Sequence, residues 1–123
     1  MTDVVVTVPK LMWGDWIEEG DLPGEEESDY VFHFWLRGVP PDMQAGDRVY
    51  IVAHGKLRGY APLRRVEQSC ELRFSRSCLV RNGDAVAVTI PEPVRGFQGW
   101  RYRWWKYEDE QSFPEWQTEG VTG

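Results

Sequence analysis

Short alternations of apolar and polar residues run along this chain, broken by turn signals every ten residues or so. That spacing predicts a set of short strands in a small, mainly antiparallel β architecture. Residues 3–8 form a β-branched run and read as the first strand. Pro9 suits the first turn of a helix, Trp13, Trp16 and Ile17 fall on one helical face, and Gly20 is a stop signal. Residues 20–29 hold Gly, Pro, Ser and acids, the composition of an exposed loop. Residues 30–36 predict a second strand, ended by Gly-Val-Pro-Pro.

The clearest unit follows. In residues 48–53, Val49, Ile51 and Ala53 alternate with Arg48, Tyr50 and Val52. His54 and Gly55 suit a two-residue hairpin loop, because Gly and, less readily, His tolerate positive φ. The return strand then places Leu57, Gly59, Ala61 and Leu63 on one side, and Arg58, Tyr60 and Arg64 on the other. A further short strand is expected at 71–74. Residues 79–81 and 85–90 flank Asn82 and Gly83, a strong signal for a second hairpin. Pro91 and Pro93 end that strand, the Trp-rich segment 95–107 is the last one, and the acidic tail from Glu108 is expected to be partly mobile. The sum is six or seven strands and one or two short helices: an α+β, mainly β barrel in a single domain over residues 1–123.

The best clue to function lies in RGFQGWRYRWWKY, residues 95–107. Every position from Trp100 to Tyr107 is aromatic or basic. As a strand, Trp100, Tyr102 and Trp104 line one face, with Arg101, Arg103 and Trp105 on the other. Large π-surfaces beside guanidinium groups suit a planar, anionic ligand such as a nucleobase with its phosphate. The structural alternative is that Trp100 and Tyr102 serve as core, since no side chains bury more apolar area.

Charge changes the picture. The net charge is −6, but its distribution is uneven. Residues 1–36 hold one base and nine acids, residues 37–106 thirteen bases and six acids, and residues 107–123 five acids and no base. A basic middle between acidic ends fits a selective pocket better than a long groove coating DNA through many phosphates. No apolar run approaches the roughly 20 residues of a membrane helix, and residues 1–8 lack the basic flank of a secretory signal, so cytoplasmic residence is expected. Cys70 and Cys78 pair only if their strands are neighbours in register, and a cytosolic chain keeps them reduced. With His33 and His54 scattered, no metal site and no cofactor is expected. No nucleophile arrangement or phosphate loop stands out. Lys10, at the mouth of the first helix, reads as an anion contact, a general base or an ordinary solvated lysine.

At GDRVYIVAHGKLRGYAPLRRVE, residues 46–67, the chain resembles the PUA-like superfamily, which includes PUA, ASCH, EVE and YTH domains. In that superfamily a Gly-Asp-x-Val strand, a tight turn and a return strand carrying Gly and an aromatic form the heart of a pseudo-barrel. The resemblance implies a PUA-like antiparallel pseudo-barrel with a pocket for a nucleobase, often a modified one, between the first helix and the barrel. By position it implies Trp13 and Trp16 from the helix, Arg58 and Tyr60 from the return strand, and Trp100, Arg101, Arg103 and Trp104 from the late strand. The ASCH signature Gly-x-Lys-x-x-Glu-x-Arg is absent, since EEGDLPGEEES puts acids where Lys and Arg belong. The function expected is therefore recognition of a nucleobase in RNA, DNA or a free nucleotide. One alternative is a PUA-like hydrolase or nuclease using Lys10 and Glu18 for acid–base work. Another is a protein-interaction domain whose exposed tryptophans form a hot spot for a partner chain.

Overall fold

Val4, Val5 and Val6 point alternately to opposite sides, yet all three are buried, so strand β1 (Val4–Thr7) is covered on both faces. The computed structural model describes residues 2–8, 13, 14, 32–37, 42–71, 74–81, 85–116 and 118, with the backbone alone for 32–37, 67–71, 74–78, 80 and 81. Around β1 lies a six-stranded sheet. Its members are β2 (Phe32–Arg37), β3 (Arg48–Ala53), β4 (Lys56–Glu71), β5 (Phe74–Arg81) and β7 (Trp100–Tyr102), in the order β2-β5-β4-β3-β1-β7.

Two features correct the antiparallel pseudo-barrel expected above. β1 runs parallel to β3, with Val4 beside Val49 and Thr7 beside Val52, so the sheet is mixed. Parallel neighbours need a long crossover, and the chain between β1 and β3 supplies one. The sheet is also open, because β2 and β7 stand at its two ends and the described strands close no barrel.

The hairpin at His54 and Gly55 forms as the sequence predicts, with φ of 50° and 74° and Ala53 opposite Lys56. Beyond it the register slips: Val52 opposes Leu57 while Ile51 opposes Gly59. Arg58 is the extra residue of a β-bulge. The slip puts Leu57 on the opposite side of the sheet from Ala61 and Leu63, contrary to simple alternation. Leu57 packs with Val5, Tyr50, Val52, Ile90, Val94 and Trp105. Ala61 lies opposite Val49, and Leu63 packs with Val4, Val6, Val49, Ile51, Leu79 and Trp13. Each large apolar side chain so buried contributes about 1.5–3 kcal/mol relative to exposure.

The separate strand expected at 71–74 is not seen among the described residues, where β4 ends at Glu71 and β5 begins at Phe74. The hairpin expected around Asn82 and Gly83 does not form either. Leu79 already has Phe34 on one side and Val66 on the other, so neither edge of β5 is left for residues 85–90. Those residues instead reach Tyr60 through a bridge at Val86 and pair β6 (Val88–Thr89) with β8 (Gln111–Ser112). Asn82 and Gly83 themselves lie outside the described residues. Cys70 faces Ser75 and Cys78 faces Glu67, an offset of three positions. At about 3.3 Å per residue the offset is roughly 10 Å, too far for a disulfide between these strands.

Trp13 and Gly14 are helical, and Trp13 is buried, in accord with a helix after Pro9. No helix among the described residues is long and apolar enough to cross a membrane. The acidic end is more structured than its composition suggests. A 3-10 turn at Tyr107–Asp109, strand β8 and the buried Phe113 carry the fold to Trp116, whose carbonyl accepts a hydrogen bond from Arg58 Nη1 (2.9 Å).

Gly59 tests this packing. Its φ is +151°, and a Cβ there would sit 2.4 Å from the Val86 carbonyl oxygen. Gly59→Ala is expected to destabilise the domain by about 2–4 kcal/mol in urea unfolding, through strain and separation of β4 from the Val86 bridge.

Candidate functional site

Strand register lines up three charged residues at one end of the sheet. Arg48 opens β3, Asp3 precedes β1 and Arg103 follows β7, so the three lie in a row across neighbouring strands. The Asp3 carboxylate accepts from the Arg48 backbone N–H at 2.9 Å through Oδ1, and from Arg103 Nε at 3.3 Å through Oδ2. The Tyr107 hydroxyl also donates to Oδ2. One short acid thus holds β1, β3 and the chain after β7 together.

A second carboxylate repeats the pattern one layer in. Glu110 accepts from the Tyr50 hydroxyl at 2.6 Å, from Trp105 Nε1 at 3.0 Å and from Arg48 Nη1 at 3.2 Å. Arg48 Nη1 also donates to the Tyr50 hydroxyl at 3.0 Å. The Arg48 guanidinium carbon lies 4.2 Å from the centre of the Tyr60 ring and 4.5 Å from that of Tyr107. Arg103 approaches the Tyr107 ring at 4.0 Å. Burial, then the bond to Glu110, pushes the Tyr50 phenol far above its ordinary value. The bond to Asp3, then burial, raises Tyr107 as well. Burial works against the charge on Arg48, but Tyr50, Tyr60 and Glu110 outweigh it and raise its pKa.

Beside this network stands the aromatic edge. The Trp100 and Tyr102 rings meet edge-on at 4.9 Å, and Tyr102 is 59% exposed. Because β7 ends at Tyr102, strand alternation stops there, and Trp104 does not complete the expected three-ring face. Its ring meets Trp105 at 4.9 Å, its Nε1 lies 3.4 Å from Glu92, and it remains 47% exposed. Arg101 is exposed, its guanidinium 4.4 Å over the Phe97 ring.

The other expected site residues are placed differently. Trp13 is buried, 5.8 Å from the Trp116 ring and 5.7 Å from that of His54. Arg58 is buried too, donating from Nε to the Ala53 carbonyl at 2.9 Å, and from Nη1 and Nη2 to those of Trp116 and His54. Tyr60 is half-buried with Arg48 over its ring, Trp100 is half-buried against the core, and Arg103 is tied to Asp3. Trp16, Lys10 and Glu18 lie outside the described residues. Asp3, Arg48, Tyr50, Tyr107 and Glu110 escaped the sequence reading. The KYEDE run, residues 106–110, was the available signal, but it reads as the start of an acidic tail.

A shallow groove of about 420 Å³ lies elsewhere, between Lys56, Glu92, Gln111, Phe113 and Glu115. Two carboxylates against one ammonium make it a poor receptor for an anion. No group of His, Cys, Asp and Glu among the described residues is arranged to hold a metal ion.

Comparison with known families matches residues 25–114 to the family described as "Protein of unknown function (DUF1489)", and the chain belongs to it. No curated protein and no solved structure matches the chain. The matched span contains Arg48, Tyr60, β7, Tyr107 and Glu110.

Two outcomes follow from the network. Glu110→Ala strips the acceptor from three donors at once and is expected to cost about 3 kcal/mol in urea unfolding. Tyr50 and Tyr107 both hold their protons above the ordinary tyrosine pKa of 10.0, so the native state stays protonated where the unfolded chain ionises. Their contribution is complete below that value and is lost progressively as pH rises above it through their higher native-state pKa values. Unfolding free energy should therefore begin to fall at about pH 10 in the wild type and keep falling above it, and fall less steeply in Tyr50→Phe.

Proposed function

We propose that this chain is a PUA-like binding module whose β7 edge takes an unpaired nucleobase, in RNA, DNA or a free nucleotide. The observation that carries this reading is that two large rings, Tyr102 and Trp104, and the Arg101 guanidinium are all exposed within residues 101–104 at the β7 edge. Base stacking on such a ring contributes about 1–3 kcal/mol per base and works with any base, since each has a π-face. Trp100 meets Tyr102 edge-on and limits its motion, so less ordering entropy is lost on stacking. Paired bases hide their faces from a side chain at a sheet edge, which favours a single strand or a free nucleotide. The tight hairpin at His54 and Gly55 and its return strand with Gly59 support the PUA-like part of the reading.

Charge near this edge is modest. Between residues 92 and 109, Arg95, Arg101 and Lys106 are exposed, and so are the acids Glu92, Glu108 and Asp109. Binding should therefore rest on stacking more than on counterion release.

Tryptophan fluorescence during titration with single-stranded oligonucleotides and nucleotides tests the reading. Tyr102→Ala and Trp104→Ala should each weaken binding about tenfold while leaving the urea midpoint unchanged. Arg101→Ala should reduce the salt slope of oligonucleotide binding by about one. Fluorescence indifferent to every base, or binding untouched by both aromatic substitutions, would overturn it.

A further inference from the structure

Arg48 has a second property that the network around it leaves unused. Both of its hydrogen bonds leave from one nitrogen, Nη1, toward Tyr50 and Glu110. Its Nε–H and Nη2 hydrogens have no hydrogen-bonding partner among the described residues, and the side chain is 30% exposed. The rings of Tyr60 and Tyr107, at 4.2 and 4.5 Å, hold the guanidinium in place.

Burial also sorts the charges by depth. The Glu110 side chain is 8% exposed and that of Asp3 is 3%, whereas their partners Arg48 and Arg103 are 30% and 22% exposed. The acids face inward and the guanidiniums outward, so at this spot a guanidinium, not its carboxylate partner, meets the solvent. We propose that Arg48 anchors an oxyanion site, in which its Nε and Nη2 edge takes two oxygens of a phosphate or carboxylate group.

A guanidinium presents that edge as a planar fork matching two oxygens, and the energy is greatest when the fork is already immobilised. Arg48 meets both conditions, since one end is fixed by a carboxylate and a phenol and the plane is flanked by rings. The exposed Glu108 and Asp109 adjoin Tyr107 and weaken the field, which selects a small or terminal oxyanion over a polyanion. The site is distinct from the Tyr102 surface. Arg48 shares a face with Tyr50, whereas Tyr102 lies opposite Val4 and faces the other core.

The test uses the full chain labelled with nitrogen-15 and follows the arginine Nε–H signals by NMR. The probes are inorganic phosphate and acetate, with chloride at matched ionic strength as control. The Arg48 signal, identified by its loss in Arg48→Lys, is expected to shift saturably with phosphate, with acetate or with both, and the Arg101 signal is not. The two arms tell which oxyanion the fork prefers. Glu108→Gln combined with Asp109→Asn should tighten binding at least threefold, a result that does not require the Arg48 variant to fold. Tyr102→Ala, which removes the proposed stacking face, should leave the shift intact, so this site and the base-binding surface stand or fall separately. An Arg48 signal that stays still, responds equally to chloride, or moves together with every other arginine would overturn the assignment.

Discussion

A carboxylate with almost no access to water needs hydrogen-bond donors in its place, and Asp3 collects them from three parts of the chain. It takes the backbone N–H at the head of β3, the Arg103 side chain after β7 and the Tyr107 hydroxyl from the 3-10 turn. The parallel pairing of β1 with β3 and the antiparallel pairing of β1 with β7 both converge on this residue. Glu110 applies the same constraint to the last described segment, binding it to Tyr50 and Arg48 on β3. The C-terminal chain thereby becomes the cover of one face of the sheet, with Ile90, Val94 and Trp105 beneath it.

That cover explains why the aromatic run divides. A continuous strand from Trp100 to Tyr107 would have carried Trp104 on the face of Trp100 and Tyr102. The chain instead leaves β7 after Tyr102, because Trp105 must turn inward to reach Tyr50 and Glu110. One tryptophan is spent on the core, one half-buried beside Tyr102, and one left at the surface. The arginines divide in the same manner. Arg103 and Arg58 satisfy internal acceptors, while Arg101 and part of Arg48 remain available to solvent.

The bulge at Arg58 shows how a one-residue slip reassigns side chains. It sends Leu57 to one core and keeps Ala61 and Leu63 in line with the other, and it brings Arg58 into the interior. There three backbone carbonyls and the nearby Trp13 and Phe113 rings satisfy the guanidinium. An arginine that alternation alone would place on an accessible face becomes a clamp between the first hairpin and Trp116.

Local chemistry was enough to determine a good part of this. The β-branched runs at 3–8 and 48–53 become β1 and β3, the aromatic run at 30–36 becomes β2, and His54 with Gly55 forms the hairpin. These elements depend on side-chain shape, period and permitted φ, all carried by neighbouring residues. The tertiary structure alone decided the parallel partner of β1, the fate of the Asn82 and Gly83 signal, the bulge, and the docking of residues 108–116. Each depends on which edges other strands had already occupied, or on a distant partner for a buried charge. Asp3 and Tyr107 lie at opposite ends of the chain, and no local pattern marks them as one site. Their meeting is set by the order of strands in the sheet, a non-local property of the whole fold.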